Sequence, residues 1–201
     1  APDLAMPGAV AAVERFCTVA RRAVVEQFVL LAGRGEPEAE AAETVVRTSG
    51  VRWTVIRASW FDQNFSEGML APSVLEGAIA LPAGTVAEPF VDADDIADVA
   101  VAALTDPAHD GRTYDVTGPR LLTFGQAADE LAAAIGRPVA YHDVTPDEFV
   151  AGAVAAGVLR EEAEALAGLF TAVLDGRNAH LGDGVQQALG RSPRDFGDFA
   201  R

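Results

Sequence analysis

Arg34 and Arg57 each stand at or just past the end of a buried apolar run, and in open parallel sheets ligands sit beyond the carboxyl ends of the strands. A guanidinium in that place can meet a phosphate, a carboxylate or one of the chain's own acids. All 15 basic residues are arginine, so within these 201 residues a Schiff-base lysine, a Walker-A grip and a Tyr-x-x-x-Lys dyad are excluded. Tyr114 and Tyr141 fall in strand patterns and read as half-buried residues rather than proton donors. His109, His142 and His180 are scattered, without a His-x-x-x-His pair or cysteine partners, and no metal site is expected. Asp92, Asp94, Asp95 and Asp98 lack the glycine and terminal glutamate of a calcium loop and read as helix caps. Ser59, Ser66, Ser73 and Ser192 stand outside any Gly-x-Ser-x-Gly elbow, which leaves a serine hydrolase unsupported. Cys17, the single cysteine, sits beside Phe16 on an apolar helix face and reads as a small buried hydrophobe.

A dinucleotide fold places Gly-x-Gly-x-x-Gly between its first strand and helix, so that bare backbone meets the pyrophosphate. Here Gly33-Arg-Gly-Glu-Pro-Glu38 lacks the third glycine and sets two carboxylates where an anion would dock. This turn reads as a strand-end loop facing some other part of a ligand.

The elements that carry these residues follow from apolar periodicity and turn chemistry. Val10, Val13, Phe16, Cys17, Ala20 and Val24 recur at helical spacing, and Phe28-Val-Leu-Leu31 is a buried strand. Pro37 opens a helix through Ala39, Ala42, Val45 and Val46 that stops at Ser49-Gly50, and Arg52-Trp-Thr-Val-Ile-Arg-Ala58 is a second strand. Strand, helix and strand with short joins make a right-handed crossover between parallel strands. From Ser59 to Leu81 the pattern reads as a loop and short helix bearing exposed or pocket-lining aromatics. Glu88-Pro-Phe-Val91 is a short strand before a helix over Ile96 to Leu104, and Gly111 to Thr117 is another strand. Thr123 with Gln126 and Thr145 with Glu148 make capping boxes, with a strand over Pro138 to Val144 between those two helices. A helix through Leu166, Phe170 and Val173 and a short one near Gly184 to Leu189 complete the chain.

Half of the 201 residues are apolar and 22% are charged, enough to bury a sizeable core. The net charge of -15 repels phosphate backbones and anionic lipid, so neither nucleic acid nor membrane is an expected partner. No apolar run reaches a membrane span, and residues 1–8 show neither the basic nor the apolar part of a leader, so a cytoplasmic location is expected.

Three ordered blocks carry a resemblance. Thr54-Val-Ile-Arg-Ala-Ser-Trp-Phe-Asp-Gln-Asn-Phe65, Pro89-Phe-Val-Asp-Ala-Asp-Asp-Ile-Ala-Asp-Val-Ala100 and Gly111-Arg-Thr-Tyr-Asp-Val-Thr-Gly-Pro-Arg-Leu-Leu-Thr-Phe124 resemble landmarks of the NmrA-like atypical short-chain dehydrogenases. The resemblance implies an α/β fold: residues 1–120 as the remainder of a Rossmann-like parallel-sheet domain, and 121–201 as a smaller, mostly α substrate lobe interleaved with the loop 59–82. It implies that the family's first strand, glycine-rich turn and ribose-selecting strand would lie before Ala1, which leaves NAD against NADP undecided. By resemblance, Ala32, Gly33, Arg34, Ser59, Trp60 and Phe61 approach the cofactor, and Asn64, Phe65, Met69 and Phe170 line a substrate pocket. The implied activity is NAD(P)H-dependent reduction of a small quinone-like or conjugated carbonyl acceptor that draws its proton from solvent. The alternative is a non-catalytic redox-sensing regulator. A small-molecule substrate is the expected partner, and the resemblance also admits a homo-oligomer.

Overall fold

A computed structural model describes Leu4 and residues 8–201; residues 1–3 and 5–7 of the stretch read for a leader lie outside the described residues. Helix α1 (Ala9–Arg22) precedes strand β1 (Gln27–Gly33), helix α2 (Pro37–Arg47) and strand β2 (Arg52–Ala58). The two strands pair in parallel from Gln27 with Arg52 to Gly33 with Ala58. Helix α4 (Ala93–Thr105) then leads to β5 (Arg112–Val116), which pairs in parallel with β2 to give the order β1-β2-β5. Val13, Cys17 and Ala20 of α1 and Ala42 and Val46 of α2 bury Phe28 on one face of this sheet. Ile96 and Val99 of α4 pack on Ile56, Tyr114 and Val116 on the other. Parallel strands are covered on both faces in this way because the crossover helices must lie there.

Three expectations for this part need correction. Phe16 is 62% exposed, its ring tilted by 46° against Phe28 at 5.7 Å, and Val24 lies past the end of α1 with φ +60. Leu31 is not buried with its strand but 44% exposed, because β1 is the outer strand of the described sheet and its end opens onto a cleft. Of the four aspartates read as caps, Asp92 does cap α4, accepting the Asp94 N–H at 2.9 Å. Asp95 and Asp98 instead hold the chain terminus: Asp95 is fully buried and paired with Arg191 and Arg194, and Asp98 takes the same two arginines.

A second core forms where the stretch 65–90 meets the C-terminal helices. Helix α3 (Ala71–Glu76) and strand β3 (Ala78–Leu81) follow a 3-10 turn at Asp62–Phe65, so the expected loop contains a strand. β3 escaped the periodicity because only Ile79 and Leu81 of its four residues are apolar, large and buried. It pairs in parallel with β7 (Ala140–Asp143). The strand expected over 88–91 shrinks to β4 (Ala87–Glu88), paired with β6 (Leu122–Thr123), and a single bridge between Phe61 and Val91. Pro89 interrupts it, having no N–H to give a ladder.

Helices α5 (Phe124–Ile135), α6 (Pro146–Ala155) and α7 (Arg160–Val173) cover this core, followed by α8 (Gly184–Leu189) and α9 (Phe196–Phe199). Both capping boxes form as expected, with Thr123 Oγ1 accepting the Gln126 N–H and Gln126 Oε1 accepting the Thr123 N–H. Thr123→Ala is expected to lower stability by about 1 kcal/mol, and Thr123→Ser to restore most of it, as read from urea unfolding midpoints. Among the described residues no helix is long and apolar enough to cross a membrane.

Candidate functional site

A cleft of about 420 Å³ opens at the carboxyl ends of β1 and β2. Its floor is Ala32, Gly33 and Ala58; one wall is the turn Ser59-Trp60-Phe61 with Asn64, and the other is Leu169 and Val173 of α7 with Asn178. Parallel strands end side by side here, so the loops that leave them must diverge, and the gap between them is the cleft.

The two loops are fastened differently. Arg34 N–H still donates to the Ala58 carbonyl at 3.1 Å, and Ser59 N–H to Val116 at 3.2 Å, which carries the sheet's register one residue past the strands. The Ser59 turn is then stapled to the segment before α4: Val91 N–H donates to Trp60 O and Asp62 N–H to Val91 O, both at 2.9 Å. Gln63 completes the staple, its Oε1 accepting the Ala93 N–H at 2.8 Å and its Nε2 donating to Asp92 Oδ1 at 3.0 Å. Trp60 is wedged between Phe124 and Phe170, at ring distances of 6.1 and 5.7 Å, and so presents a fixed wall.

Arg34 is buried, and its Nη1 donates to the carbonyls of Asn178 at 3.3 Å and His180 at 2.8 Å, while Asn178 Nδ2 donates back to Arg34 O at 3.0 Å. This exchange straps the segment after α7 across the end of β1. Burial lowers the Arg34 guanidinium from its ordinary value, against the opposing pull of Asp115 and Glu88. Arg57 is committed elsewhere: its Nε and Nη2 grip both oxygens of the buried Glu43 at 2.8 Å, so of the partners open to this arginine it takes one of the chain's own acids.

All six residues read as cofactor-facing, Ala32, Gly33, Arg34, Ser59, Trp60 and Phe61, fall on the cleft wall. Of the four read as pocket-lining, Asn64 does as well. Phe65 and Phe170 are core residues, 2% and 0% exposed, and Met69 is exposed away from the cleft. The physical reason for Phe65 is its neighbours: Phe90 and Phe196 pack edge-on against it, each at 5.4 Å, so its ring fills the second core. Phe170 stands between the residues of α7 that do face the cleft, Leu169 and Val173, but its own ring is buried in the second core. Glu36 and Asn178 were missed as lining residues. In the sequence the carboxylates after Gly33 read only as a bar to phosphate, and Asn178 reaches the site from a distant loop without any local signal.

Two buried carboxylates complete the electrostatics. Asp62, next to the cleft turn, is fully buried with neither oxygen hydrogen-bonded, and burial with Asp92, Asp195 and Asp95 nearby pushes it up to about 8, against Arg120. Glu88 is raised by burial to about 7, with Arg34 opposing. Tyr114 and Tyr141 lie off the cleft: the Tyr114 hydroxyl meets His109 Nδ1 at 2.7 Å, and Tyr141 donates to Leu81 O at 3.2 Å. Among the described residues no group of three metal-binding side chains converges.

No family model matches the chain. It is 34% identical over 194 residues to the NAD(P)H azoreductase of Xenophilus azovorans, covering 92% of this chain and 67% of that enzyme. Another relative, the prestalk A differentiation protein A of Dictyostelium discoideum, is 29% identical over 159 residues, and the chain spans about half of it, 53%. The fold matches the NADPH complex of the Escherichia coli quinone oxidoreductase QOR2, with a TM-score of 0.84 and 18% identity over 97% of this chain and 71% of that one. It also matches NmrA, a negative transcriptional regulator in complex with NAD, with a TM-score of 0.67 and 17% identity over 97% of this chain and 69% of that one. The chain thus belongs to the family of the NAD(P)H azoreductase, and it shares its fold, a parallel sheet with a cleft at the strand ends, with QOR2 and NmrA.

Proposed function

We propose that the protein is an NAD(P)H-dependent oxidoreductase whose cleft brings the nicotinamide end of the cofactor against a small quinone-like or conjugated carbonyl acceptor. The observation that carries this reading is the wall at the ends of β1 and β2. Ser59 keeps a buried hydroxyl without a partner, and Trp60 and Phe61 add flat surface. Those residues fit a flat amide-bearing ring. The turn itself does not fit a pyrophosphate, because the Glu36 carboxylate lies over Gly33. When bound, the cofactor supplies a hydride.

The chain's own residues orient and exclude. Trp60, fixed between two phenylalanines, limits the tilt of a bound ring. Leu169 and Val173 shield it from water, and the Arg34–Asn178 strap holds the α7 side at a set distance from β1. Orientation of this kind is a large part of what a protein adds to cofactor chemistry. In this reading 121–201 with the loop 59–82 act as the substrate lobe.

The redox-sensing regulator is the second reading, favoured by the lack of tyrosine, histidine, lysine or cysteine among the described lining residues. The complete gene product decides between them. It is titrated with NADPH and NADH, then assayed for their oxidation with a quinone panel. Turnover supports the enzyme; tight cofactor binding with no acceptor turned over removes it and leaves the regulator.

A further inference from the structure

We propose that Glu88 is a positioning residue for the cleft wall: protonated, it keeps the strap closed over the end of β1, and ionised, it lifts the strap and opens the cleft. As regulation of that site the proposal rests on the oxidoreductase reading; the movement of the strap does not.

The strap is the stretch 174–183 between α7 and α8. Gly176 turns the chain at φ +89 with nothing within 4 Å of where a β-carbon would stand, so a hinge there meets no obstacle. Asn178, which lines the cleft, and His180 are held through their carbonyls by Arg34 Nη1, and Arg177 Nη1 donates to Gly35 O at 3.3 Å. Farther along, the Gly182 N–H donates to Thr117 Oγ1 at 3.1 Å. A β-carbon on Gly182 would stand 2.4 Å from Asp115 O, so the far end of the strap lies directly on β5. Arg34 is thus the clamp on the part of the strap that faces the cleft.

Beneath the clamp lies charge that no hydrogen bond satisfies. Arg34 Nη2, both carboxylate oxygens of Glu88 and Asp115 Oδ1 are buried without a hydrogen-bond partner. Two charged groups act on Glu88: Arg34 favours its ionised form, and Asp175, carried by the strap itself, opposes it. Asp115 on β5 acts in turn on Arg34. A carboxylate sealed in this place without a hydrogen bond is costly, whereas one reached by water is not. Burial under the strap raises Glu88 from 4.5 to about 7, and hydration on opening returns it toward 4.5. Closing the strap therefore binds a proton. The closed form is favoured fully below the ordinary value of 4.5 and loses that advantage as pH rises through about 7.

The test is amide hydrogen exchange of 174–183 in the complete gene product without cofactor. Observed rates from about pH 5.5 to 7.5 are divided by those of the unstructured peptide at each pH. Protection of the strap is expected to fall by about tenfold across that range in the parent. Glu88→Gln, a neutral side chain of the same shape, should hold it constant. His180→Gln removes an exposed titrating ring but keeps the carbonyl that Arg34 uses, and should leave the fall intact. Asp62 is also raised, to about 8, but it is present in all three proteins, so a dependence lost with Glu88 alone belongs to the strap. Constant protection in the parent, a fall that persists in Glu88→Gln, or one that vanishes in His180→Gln would overturn the proposal. Oxidised dinucleotide is titrated at both ends of the pH range. Absence of binding at both would overturn the oxidoreductase reading and leave the strap result standing.

Discussion

Phe124→Ala is expected to destabilise the protein by about 3–5 kcal/mol, the range for removing a fully buried aromatic ring. Phe124 is 1% exposed and is the first residue of α5. Its ring meets Phe90 at 5.1 Å, Trp60 at 6.1 Å, Phe65 at 6.3 Å and Tyr141 at 6.4 Å. Four aromatic neighbours around one ring cannot all move inward at once, so most of the cavity would stay open. Because Trp60 loses its edge contact, the cleft wall should loosen together with the core. Urea unfolding gives the stability, and the tryptophan emission of the folded variant gives the wall. Phe124→Leu should retain more than half of the lost stability. A loss below about 1 kcal/mol for the alanine variant would show that the ring cluster re-forms without its centre.

The second large effect concerns pH. Asp62 titrates near 8 in the folded protein against an ordinary value of 3.8, so the native state holds a proton that the unfolded chain has released. Stability from this group is therefore complete below about pH 4 and is lost as pH rises to about 8, on the order of a few kcal/mol across the window. Asp62→Asn removes the titration. The difference in unfolding free energy between parent and variant should fall steadily from pH 4.5 to 8.5, with the variant the more stable at the upper end. At the lower end the two should be nearly equal, since the amide is as unpartnered as the protonated acid. Asp195 and Asp98, both held below their ordinary values by arginines, titrate at lower pH and do not blur the window. A pH-independent difference would mean that Asp62 is ionised throughout.

How much of this was legible beforehand differs by element. Both capping boxes, the crossover from β1 to β2 and the short helix at Gly184–Leu189 were readable, because each depends on contacts within a few residues or on one unbroken apolar period. The six residues expected at the cofactor end were readable only through the resemblance, and they share one cleft because β1 and β2 end together. Phe65 and Met69 could not be placed. A phenylalanine in a loop reads the same whether it faces a ligand or three other rings, and only the convergence of Phe90, Phe124 and Phe196 puts it in the core. Nothing local marks Arg57 as occupied, because its partner Glu43 stands 14 residues earlier, on α2.

The sequence by itself determined the class of the fold, the absence of lysine chemistry and the acidic balance, since these are properties of residue type and of neighbours a few positions apart. Tertiary structure alone decided which charges remain for a ligand. Arg34 is bound by carbonyls 144 and 146 residues away, Asp95 by arginines beyond Gly190, and Asp62 is buried with no partner at all. A charge's role depends on what desolvates and pairs with it, and those partners arrive from parts of the chain that no local pattern connects.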